Sequence, residues 1–389
     1  MTRLPSLLYH HRTRAGDGQS VHVAGMLGAF RALGAGVEEV ALVRHGSRNS
    51  SPEGGLLSRL RLPRIGMELC ERLYSRRGAR MLVAAAKNPD LIYERYALHC
   101  RAGLVAARRL DIPFFLEVNA PMVEEMQSLG LLHFPRLAAR VESELFRSAD
   151  RIFVVTEVLA GIVESLGAAA ERIVVTPNGI DLADFEDARE RGRAWREEQI
   201  ARGALDPEDT LLGFIGYPRA WHRLDLVLGA LAGLGDPRLR LLIVGAGPAV
   251  EPLRRQAEAM GLAQGRISVT GEVSREEVAT LAGALDLAVI PAMNRYASPL
   301  KLLDSLAAGT PTLAPRQPNL LETVEDDRHA FLFEPEDQEA FRARLGWVLA
   351  HREEARVVGE QGRARIRERD LTWEANARRV VDEWRRLGA

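Results

Sequence analysis

Short runs of apolar residues alternate along this chain with longer stretches in which apolar residues recur every three or four positions. Short runs bounded by turn residues are typical of buried parallel strands, and the longer pattern is typical of amphipathic helices that cover a sheet. The predicted strands form two series: 7–9, 40–43, 91–93, 114–118, 152–155 and 173–176, and then 211–215, 241–244, 267–270, 287–290 and 312–314. The pattern predicts an α/β protein with two doubly wound domains, whose ligands bind at the carboxyl ends of the strands.

The composition changes between the two series. Residues 186–209 are dense in arginine, glutamate and aspartate and contain few large apolar side chains, so we interpret them as a linker or a solvated helix. Residues 338–388 have a mostly helical pattern. The predicted organisation is a first domain over 1–185, a linker over 186–209, a second domain over 210–370 and a final helix over 371–389. We expect the ligand site in the cleft between the two domains.

The 389 residues are 47% hydrophobic and 27% charged, which is typical of a soluble globular protein. No window approaches the roughly 18 apolar residues of a membrane span, and the apolar stretch in residues 1–9 is too short for a signal peptide. The net charge of −1 gives no indication of a nucleic-acid partner. Cys70 and Cys100 form neither a disulfide framework nor a metal spacing, so a reducing cytoplasm is the expected location.

Two polar stretches are less specific. Residues 47–58 contain glycine and serine and are predicted to form a mobile loop. The arginine-rich stretch 72–80 leaves two interpretations open, a solvated helix face and a contact with an anionic membrane surface.

One predicted helix has the features of an anion site. Ser298 and Pro299 stand where a helix takes an N-cap and an early proline, leucines follow at helical spacing, and Gly309 marks the end. A capped helix beginning exposes N–H groups and a partial positive charge, and phosphate is the usual anion bound there. Lys301 and Asp304 lie one turn apart and can both reach such a ligand. The alternative interpretation is an ordinary capped helix in an α/β domain.

The loop after the first strand of the second series carries three candidate cations, Arg219, His222 and Arg223. Arginine binds a diphosphate in a bidentate manner, which favours a phosphate site. The alternative is a surface loop in which Trp221 packs inward.

A Gly-x-Gly turn, Gly245 to Gly247, follows the next strand of this series. Glycine allows the backbone to approach a ligand closely. Val250 stands where the third glycine of a dinucleotide fingerprint would be, so the pattern does not favour a nicotinamide site. A tight strand–helix turn without a ligand is the alternative.

Four motifs occur in one order along the chain: Pro-Asn-Gly-Ile-Asp at 177–181, Gly-x-x-Arg-x-Trp-His at 216–222, Gly-x-Gly at 245–247, and Ser-Pro-x-Lys-x-x-Asp with Ala-Ala-Gly-x-Pro at 298–311. Together they resemble the retaining glycosyltransferases of the GT-B family 4 type, over nearly the whole chain. The resemblance implies two Rossmann-like domains facing a central cleft. The C-terminal domain would bind the nucleotide-sugar donor and the N-terminal domain the acceptor, with the last helix crossing back onto the N-terminal domain.

On the donor side, the resemblance implies that Arg219, Arg223 and Lys301 hold the diphosphate. His222 stands where the family usually has a lysine, and would contribute as a hydrogen-bond donor or when protonated. Asp304 matches the carboxylate that holds the ribose, whereas Tyr296 replaces the family's other acidic residue. The remaining donor-site positions are Gly216, Gly245, Gly247, Ser298, Pro299 and Leu300.

On the acceptor side, Gly18, Gln19 and His22 match the family's glycine-rich first loop. Glu117 and Asn119 lie where many members carry a histidine near the reacting carbon, and the Asn119 amide can hydrogen-bond but cannot act as a base. Glu94 either forms a structural ion pair with Arg95 or contacts the acceptor.

The implied activity is metal-independent sugar transfer from a nucleotide-diphosphate sugar with retention of configuration, without a further cofactor. The candidate catalytic residues are Arg219, Lys301, Asn119 and His22. A noncatalytic partner subunit, an epimerase and a phosphorylase on the same fold remain alternatives. The acceptor stays open among a small molecule, a glycan and a lipid-linked compound. The choice between a monomer and a homodimer also stays open, as does a peripheral location at the inner membrane face.

Overall fold

The computed structural model describes residues 3–13, 18–41, 64–263 and 265–388. The chain divides into two compact units: the first unit is Met1–Asn178 with Trp373–Ala389, and the second unit is Gly179–Thr372. The loop predicted at 47–58 lies outside the described residues.

The first unit is built on one parallel sheet. Its strands are β1 (Ser6–His11), β2 (Gly36–Ala41), β3 (Leu91–Arg95), β4 (Phe114–Val118), β5 (Arg151–Val154) and β6 (Ile173–Val175), in the order β2-β1-β3-β4-β5-β6. Every residue of β3 and β4 is buried, as expected of central strands that are covered on both faces. The register places Arg95 beside Glu117, which brings two charged side chains to the carboxyl edge of the sheet.

Helices on both faces cover this sheet. They are α1 (Gly18–Ala32), α2 (Arg64–Ala85), α3 (Ala102–Leu110), α4 (Met122–Ser128), α5 (Pro135–Ser148) and α6 (Glu157–Ser165). The start of α6 shows the local cause of such an element, because the Thr156 hydroxyl accepts the Leu159 N–H at 3.1 Å and so caps the first turn.

The second unit repeats the architecture. Its strands are β7 (Thr210–Ile215), β8 (Leu239–Val244), β9 (Ile267–Val269), β10 (Leu287–Val289), β11 (Thr312–Pro315) and β12 (Phe331–Phe333), in the order β12-β11-β10-β7-β8-β9. Its helices are α7 (Ala188–Ala201), α8 (Leu224–Leu234), α9 (Val250–Ala259), α10 (Arg275–Ala284), α11 (Leu300–Ala307), α12 (Pro318–Leu321), α13 (Gln338–Ala350) and α14 (Arg352–Glu368).

Two apolar cores lie on the two faces of the second sheet. Leu211 and Ile215 belong to one core, whereas Leu212 and Phe214 from the same strand belong to the other. Successive residues of a strand point to opposite faces, so a continuous apolar run supplies both cores. The two parallel six-stranded sheets confirm the predicted doubly wound α/β fold.

The last helix, α15 (Trp373–Leu387), belongs to the first unit although it follows the second in sequence. It packs against α1, where Gly25 leaves room for the Trp373 ring: a Cβ on Gly25 would lie 2.5 Å from that ring.

The segment 186–209 differs from its interpretation as a linker or solvated helix. Most of it is α7, which belongs to the second unit and packs closely on α10. A Cβ on Gly192 or Gly283 would overlap the backbone of the facing helix. Charged residues on the outer face of α7 concealed this small-residue contact in the sequence pattern.

Two strands also differ from the prediction. Strand β2 begins at Gly36, four residues before the predicted 40–43, because the polar Glu38 and Glu39 hid its first half. The apolar pattern did not identify strand β12, Phe331–Phe333. Nowhere in the described residues does a helix combine the length and the apolar character that crossing a bilayer requires.

Candidate functional site

Three glycines let two loops at the carboxyl edge of the second sheet pack against each other. Gly216 follows β7 with φ of 125°, and Gly245 follows β8 with φ of 136°. A Cβ on Gly245 would overlap the Gly216 carbonyl oxygen, and one on Gly247 would overlap that of Pro218. The close approach that the Gly-x-Gly turn predicts is therefore made to the neighbouring loop.

His222 lies buried beneath this loop. A short 3₁₀ turn, Ala220–His222, places the His222 ring centre 5.0 Å from that of Phe214, in an edge-to-face arrangement. Its Nδ1 accepts the backbone N–H of Arg219 at 3.0 Å. Burial lowers the pKa of His222 to about 2, helped by the positive charges of Lys301 and Arg219. A neutral ring that accepts at Nδ1 carries its proton on Nε2, so His222 can act as a donor without being protonated twice.

The Lys301 ammonium faces this second ring nitrogen. Its Nζ lies 3.2 Å from Nε2 of His222 and 5.3 Å from the Phe214 ring centre. Burial lowers the pKa of Lys301 to about 8. Two donors that face each other cannot bond to each other, but an anionic oxygen can accept from both. The arrangement is that of an anion site.

The beginning of α11 adds backbone donors beside Lys301. The N-cap is Pro299, in an extended conformation, and no side chain caps the helix. The prediction of Ser298 as the cap is therefore wrong, because the helix starts at Leu300, one residue too late for it. The first helical hydrogen bond runs from the Leu302 N–H to the Pro299 carbonyl at 3.1 Å. The N–H groups of Leu300 and Lys301 precede it, at the positive end of the helix.

The two arginines of the loop differ in how their charges are compensated. Arg223 forms a two-pronged ion pair with Asp225, with nitrogen–oxygen distances of 2.9 to 3.1 Å, so a neighbouring carboxylate compensates its charge. Arg219 is exposed and lies over the Tyr217 ring, 5.1 Å from its centre. Among the residues that the structure describes, no carboxylate forms an ion pair with Arg219. Of the two, Arg219 is better placed to supply charge to a diphosphate.

Asp304 is buried on α11 and pairs with Arg275, whose Nη2 lies 2.7 Å from the carboxylate. Burial raises the pKa of Asp304, although Arg275 and Lys301 act in the opposite direction. Sequence reasoning missed Arg275, because it is the first residue of α10 and belongs to no motif. The ribose contact of Asp304 stays a prediction. Tyr296, which replaces the family's other acid, accepts a hydrogen bond from Asn294 at 3.0 Å.

At the carboxyl edge of the first sheet, the Glu117 carboxylate contacts hydrogen-bond donors from several elements. Its Oε1 accepts from Arg95 at 2.5 Å and from Asn119 Nδ2 at 2.6 Å, and lies 2.9 Å from Nε2 of His22. Its Oε2 accepts from the Tyr93 hydroxyl at 2.9 Å. We call these five residues the Glu117 cluster. It brings together three residues that the sequence placed on the acceptor side, Glu117, Asn119 and His22.

The Glu117 cluster holds a carboxylate firmly ionised. Burial alone would raise the pKa of Glu117, but the charges of His22 and Arg95, with hydrogen bonds from His22 and Asn119, hold it well below its ordinary value. Burial and the adjacent Glu117 raise the pKa of Tyr93 well above 10.0. The phenol therefore remains a neutral donor at physiological pH.

His22 contacts oxygen atoms through both ring nitrogens. Its Nδ1 lies 2.7 Å from Oδ1 of Asn178, and its ring centre lies 4.9 Å from that of Trp373, in an edge-to-face arrangement. The sequence identified the turn around Asn178 but not this contact, which joins residues 156 positions apart. Gly18 and Gln19, predicted within a loop, instead form the first turn of α1, and the rest of that loop, 14–17, lies outside the described residues.

Glu94 lies on the opposite face of the sheet. Its Oε2 contacts His10 Nδ1 at 2.5 Å and accepts the Gly103 N–H at 2.7 Å. Adjacent strand residues point to opposite faces, so the interpretation of Glu94 and Arg95 as an ion pair is wrong. The ligand atoms of His10, Glu94 and Cys100 lie within 4.8 Å of one another. However, burial raises the pKa of the Cys100 thiol, which opposes the thiolate that a metal needs.

Two family descriptions match the sequence. The one for a glycosyl transferase 4-like domain matches residues 17–179, and the one for glycosyl transferases group 1 matches residues 196–365.

Curated relatives are named as glycosyltransferases and lipid glycosyl synthases. D-inositol 3-phosphate glycosyltransferase of Nocardiopsis dassonvillei is 31% identical over 288 residues, which are 69% of this chain and 65% of that protein. A Streptomyces scabiei protein of the same name is 31% identical over 66% of this chain and 59% of its own length. Alpha-monoglucosyldiacylglycerol synthase of Streptococcus pneumoniae is 26% identical over 59% and 52%. The matched segments span less than two thirds of each of these three relatives.

Solved structures show the same architecture. Sucrose-phosphate synthase from Thermosynechococcus elongatus has a TM-score of 0.76 at 20% identity, covering 98% of this chain and 99% of that one. Anabaena HepE, in complex with UDP-glucose, has a TM-score of 0.73 at 15% identity, covering 97% and 99%. At these identities the likeness establishes the fold.

Proposed function

Because the chain belongs to the glycosyl transferases group 1 family and has the GT-B fold, we propose that it transfers a sugar from a nucleotide-diphosphate sugar to an acceptor with retention of the anomeric configuration. The second unit supplies the donor site, and the first unit supplies the acceptor contacts from the Glu117 cluster.

The pair of facing donors at Lys301 and His222 carries the proposal. Their nitrogens lie 3.2 Å apart beside the N-terminus of α11. A diphosphate oxygen would accept from both, and the exposed Arg219 would reach a second oxygen in bidentate fashion. HepE, a structural neighbour, binds UDP-glucose, which supports a nucleotide sugar as the donor.

These groups suit the chemistry of the leaving group. Sugar transfer breaks the bond between the anomeric carbon and the diphosphate, which leaves with an added negative charge. Fixed donors aimed at that charge lower the barrier and need no reorganisation during the reaction. Arg219, Lys301 and the start of α11 supply enough positive charge for the proposal to need no metal ion and no further cofactor.

Retention fits the side chains of the first unit. In a front-face transfer the acceptor hydroxyl gives its proton to the departing phosphate oxygen, so no enzyme base is required. Both ring nitrogens of His22 contact oxygen atoms, and Asn119 cannot accept a proton at neutral pH, so neither is suited to the general base of an inverting route. We propose that both residues orient the acceptor.

The donor site is tested by calorimetry with UDP, ADP and GDP and with their sugar conjugates. Lys301→Met is expected to weaken diphosphate binding at least tenfold. Lys87→Met is the matched control, because Lys87 is the only other lysine and is exposed, and it should bind as the wild type does. Equal affinity in Lys301→Met and the wild type would refute the assigned site.

The reaction is tested with the donor found in this way and a panel of polyol, glycan and lipid acceptors. Proton NMR of the product is expected to show the donor's anomeric configuration, at the same rate with and without EDTA. Donor isomerisation, phosphorolysis, or binding without turnover on any acceptor would instead favour an epimerase, a phosphorylase or a noncatalytic subunit.

A further inference from the structure

A cavity lies at the other edge of the sheet of the second unit, at the amino ends of its strands. Its volume is about 680 Å³, and its floor includes Thr210, Leu287 and Pro311, at or beside the beginnings of β7, β10 and β11. Its walls come from α7 and α14. A volume of this size is typical of a small-molecule site. The full length of the parallel strands therefore lies between this cavity and Lys301, which is at the carboxyl edge.

Six arginines line the cavity, three from each of the two wall helices: Arg189, Arg193, Arg196, Arg352, Arg356 and Arg363. On α7 they recur every three or four residues, and on α14 they fall at spacings of four and seven, so each helix presents one basic face.

In the part of the chain that the structure describes, only two of these arginines form direct ion pairs with carboxylates. Asp286 pairs with Arg196 at 2.7 Å, and Glu353 and Glu360 both pair with Arg356, at 2.7 and 2.5 Å. No other acidic residue lines the cavity. Within the described residues, no carboxylate forms an ion pair with the other four: Arg189, Arg193, Arg352 and Arg363.

Neutral groups hold three of these four arginines in place. Arg189 donates to the carbonyls of Gly283, Leu285 and Gly309, at 3.3, 3.2 and 2.5 Å, where α10 and α11 end. Arg352 donates to the Thr210 hydroxyl at 2.6 Å, and Arg363 to the Glu186 carbonyl at 3.1 Å. The partial negative charge at the ends of these helices favours the Arg189 cation. However, carbonyls and hydroxyls carry no net charge, so they do not neutralise it.

One donor in this set has no partner at all. The Nε of Arg363 is buried and makes no hydrogen bond. Arg189 is close to it, since both side chains come within 4.0 Å of a Cβ placed on Gly309. Burial also lowers the pKa of Arg189, which reflects the energetic cost of a cation at this position. A bound anion would relieve both the charge repulsion and the missing hydrogen bond.

We propose that this cavity binds a phosphate monoester, at a site separate from the sugar donor. Guanidinium groups match phosphate oxygens in charge and in geometry, and the charges of the four arginines without an ion pair exceed the two charges of the monoester dianion. The inference does not depend on the proposed transferase function, because it concerns the other edge of the sheet. The monoester could belong to a soluble metabolite or to a lipid headgroup, which share this chemistry.

The test uses the full chain carrying Lys301→Met, which removes the main cation from the donor edge. Calorimetry with glycerol phosphate probes a soluble monoester, and sedimentation with phosphatidylcholine vesicles containing phosphatidic acid probes a lipid one. Binding of either ligand is expected, and the ligand that binds identifies the source. Failure of both ligands to bind at millimolar concentration would overturn the proposal.

Two variants locate the binding. Arg193→Gln, at an exposed position that leaves the fold intact, should weaken binding several-fold, and Arg193→Gln with Arg352→Gln should weaken it at least tenfold. Arg202→Gln, just beyond the end of α7 and paired with Glu198, is the matched control and should change nothing. Unchanged affinity in the double variant would also overturn the proposal.

Discussion

Burial acts in the same direction on the two facing nitrogens of Lys301 and His222, because it disfavours the charged form of both. The imidazole stays neutral over the whole physiological range. The ammonium keeps its proton only up to about pH 8. The affinity of this edge for an anion should therefore depend on a single proton.

We expect nucleoside diphosphate binding to weaken by about tenfold between pH 7 and pH 9 if only protonated Lys301 binds. The last ionisation of the diphosphate lies near pH 6 and adds negative charge as the pH rises, so it cannot weaken binding to a cation, and a weakening therefore reports the protein. Calorimetric titrations across the range measure it. Lys87→Met should keep the slope, and a slope that survives in Lys301→Met would assign the proton elsewhere.

Raising the pH is expected to weaken anion binding at Lys301, but in the protein without ligand it should stabilise the fold. The pKa of Lys301 is about 8 when folded and 10.5 when unfolded, so the unfolded chain binds more protons between these values. Its contribution to the free energy of unfolding should rise with pH over that window. Urea titrations of wild type and Lys301→Met should converge as the pH approaches 10.5.

At the Glu117 cluster, Glu117→Gln should lower the free energy of unfolding by about 3–5 kcal/mol, because it leaves Arg95 buried without its counter-charge. Since the folded pKa lies below the ordinary 4.5, this stabilisation is present above pH 4.5 and is lost as the pH falls further. Urea unfolding at pH 7 and at lower pH measures both effects. Glu164→Gln, exposed on α6, should change stability by less than about 0.5 kcal/mol.

The residues that the sequence could and could not identify differ in where their partners lie. Lys301, His222 and Arg219 belong to local motifs, and the structure brings them to one edge. Arg275 pairs with a carboxylate 29 positions away, and no local pattern signals that contact. The ion pair of Arg223 was missed for the converse reason, because Asp225 was visible in the sequence but its two-pronged bond was not.

At the level of the element, the contact of α7 with α10 is set by the absence of side chains. The Cβ positions of Gly192 and Gly283 would overlap facing backbone, so the two helices can approach only because these residues are glycine. A glycine in a helix interior otherwise costs stability relative to alanine, by about 0.5–1 kcal/mol.

Gly283→Ala should therefore lower the free energy of unfolding by about 1–3 kcal/mol through overpacking. Gly161→Ala, in the interior of α6 with nothing within 4 Å of the new Cβ, should raise it by about 0.5–1 kcal/mol. Denaturant titration of the two variants measures the same Gly→Ala substitution at a tightly packed position and at an open one. Stabilisation by both would contradict the packing account.

The contact of α7 with α10 also shows which helices and strands the sequence pattern can reveal. Most strands stood out as short apolar runs, because burial on both faces removes polar positions. Helix α7 did not, since its fully buried residues, Ala188 and Gly192, are small. Hydrophobic periodicity detects elements that bury large side chains, and it overlooks those that bury backbone.

For the whole molecule, the two units differ in chain continuity. The second unit is one continuous segment with two apolar cores of its own, whereas the first unit includes α15 from the far end of the chain. Trp373 is buried against α1, so the first unit without α15 exposes a large apolar contact.

We expect the fragment 179–372 to fold by itself, with cooperative thermal unfolding and dispersed amide NMR signals. The fragment 1–178 should not, because it lacks α15, and adding a linked copy of residues 373–389 should restore it. A folded 1–178 fragment with the stability of the restored form would contradict this account.

The depressed pKa of Lys301 also makes that residue unusually reactive. At neutral pH a larger fraction of its side chain is the unprotonated amine than in a lysine with the ordinary value of 10.5, and the chain contains only one other lysine. An aldehyde carried by a bound nucleotide should therefore form an imine here, and reduction would fix it as a single covalent mark. The residue that we propose holds the donor is thus also a chemical handle for identifying it.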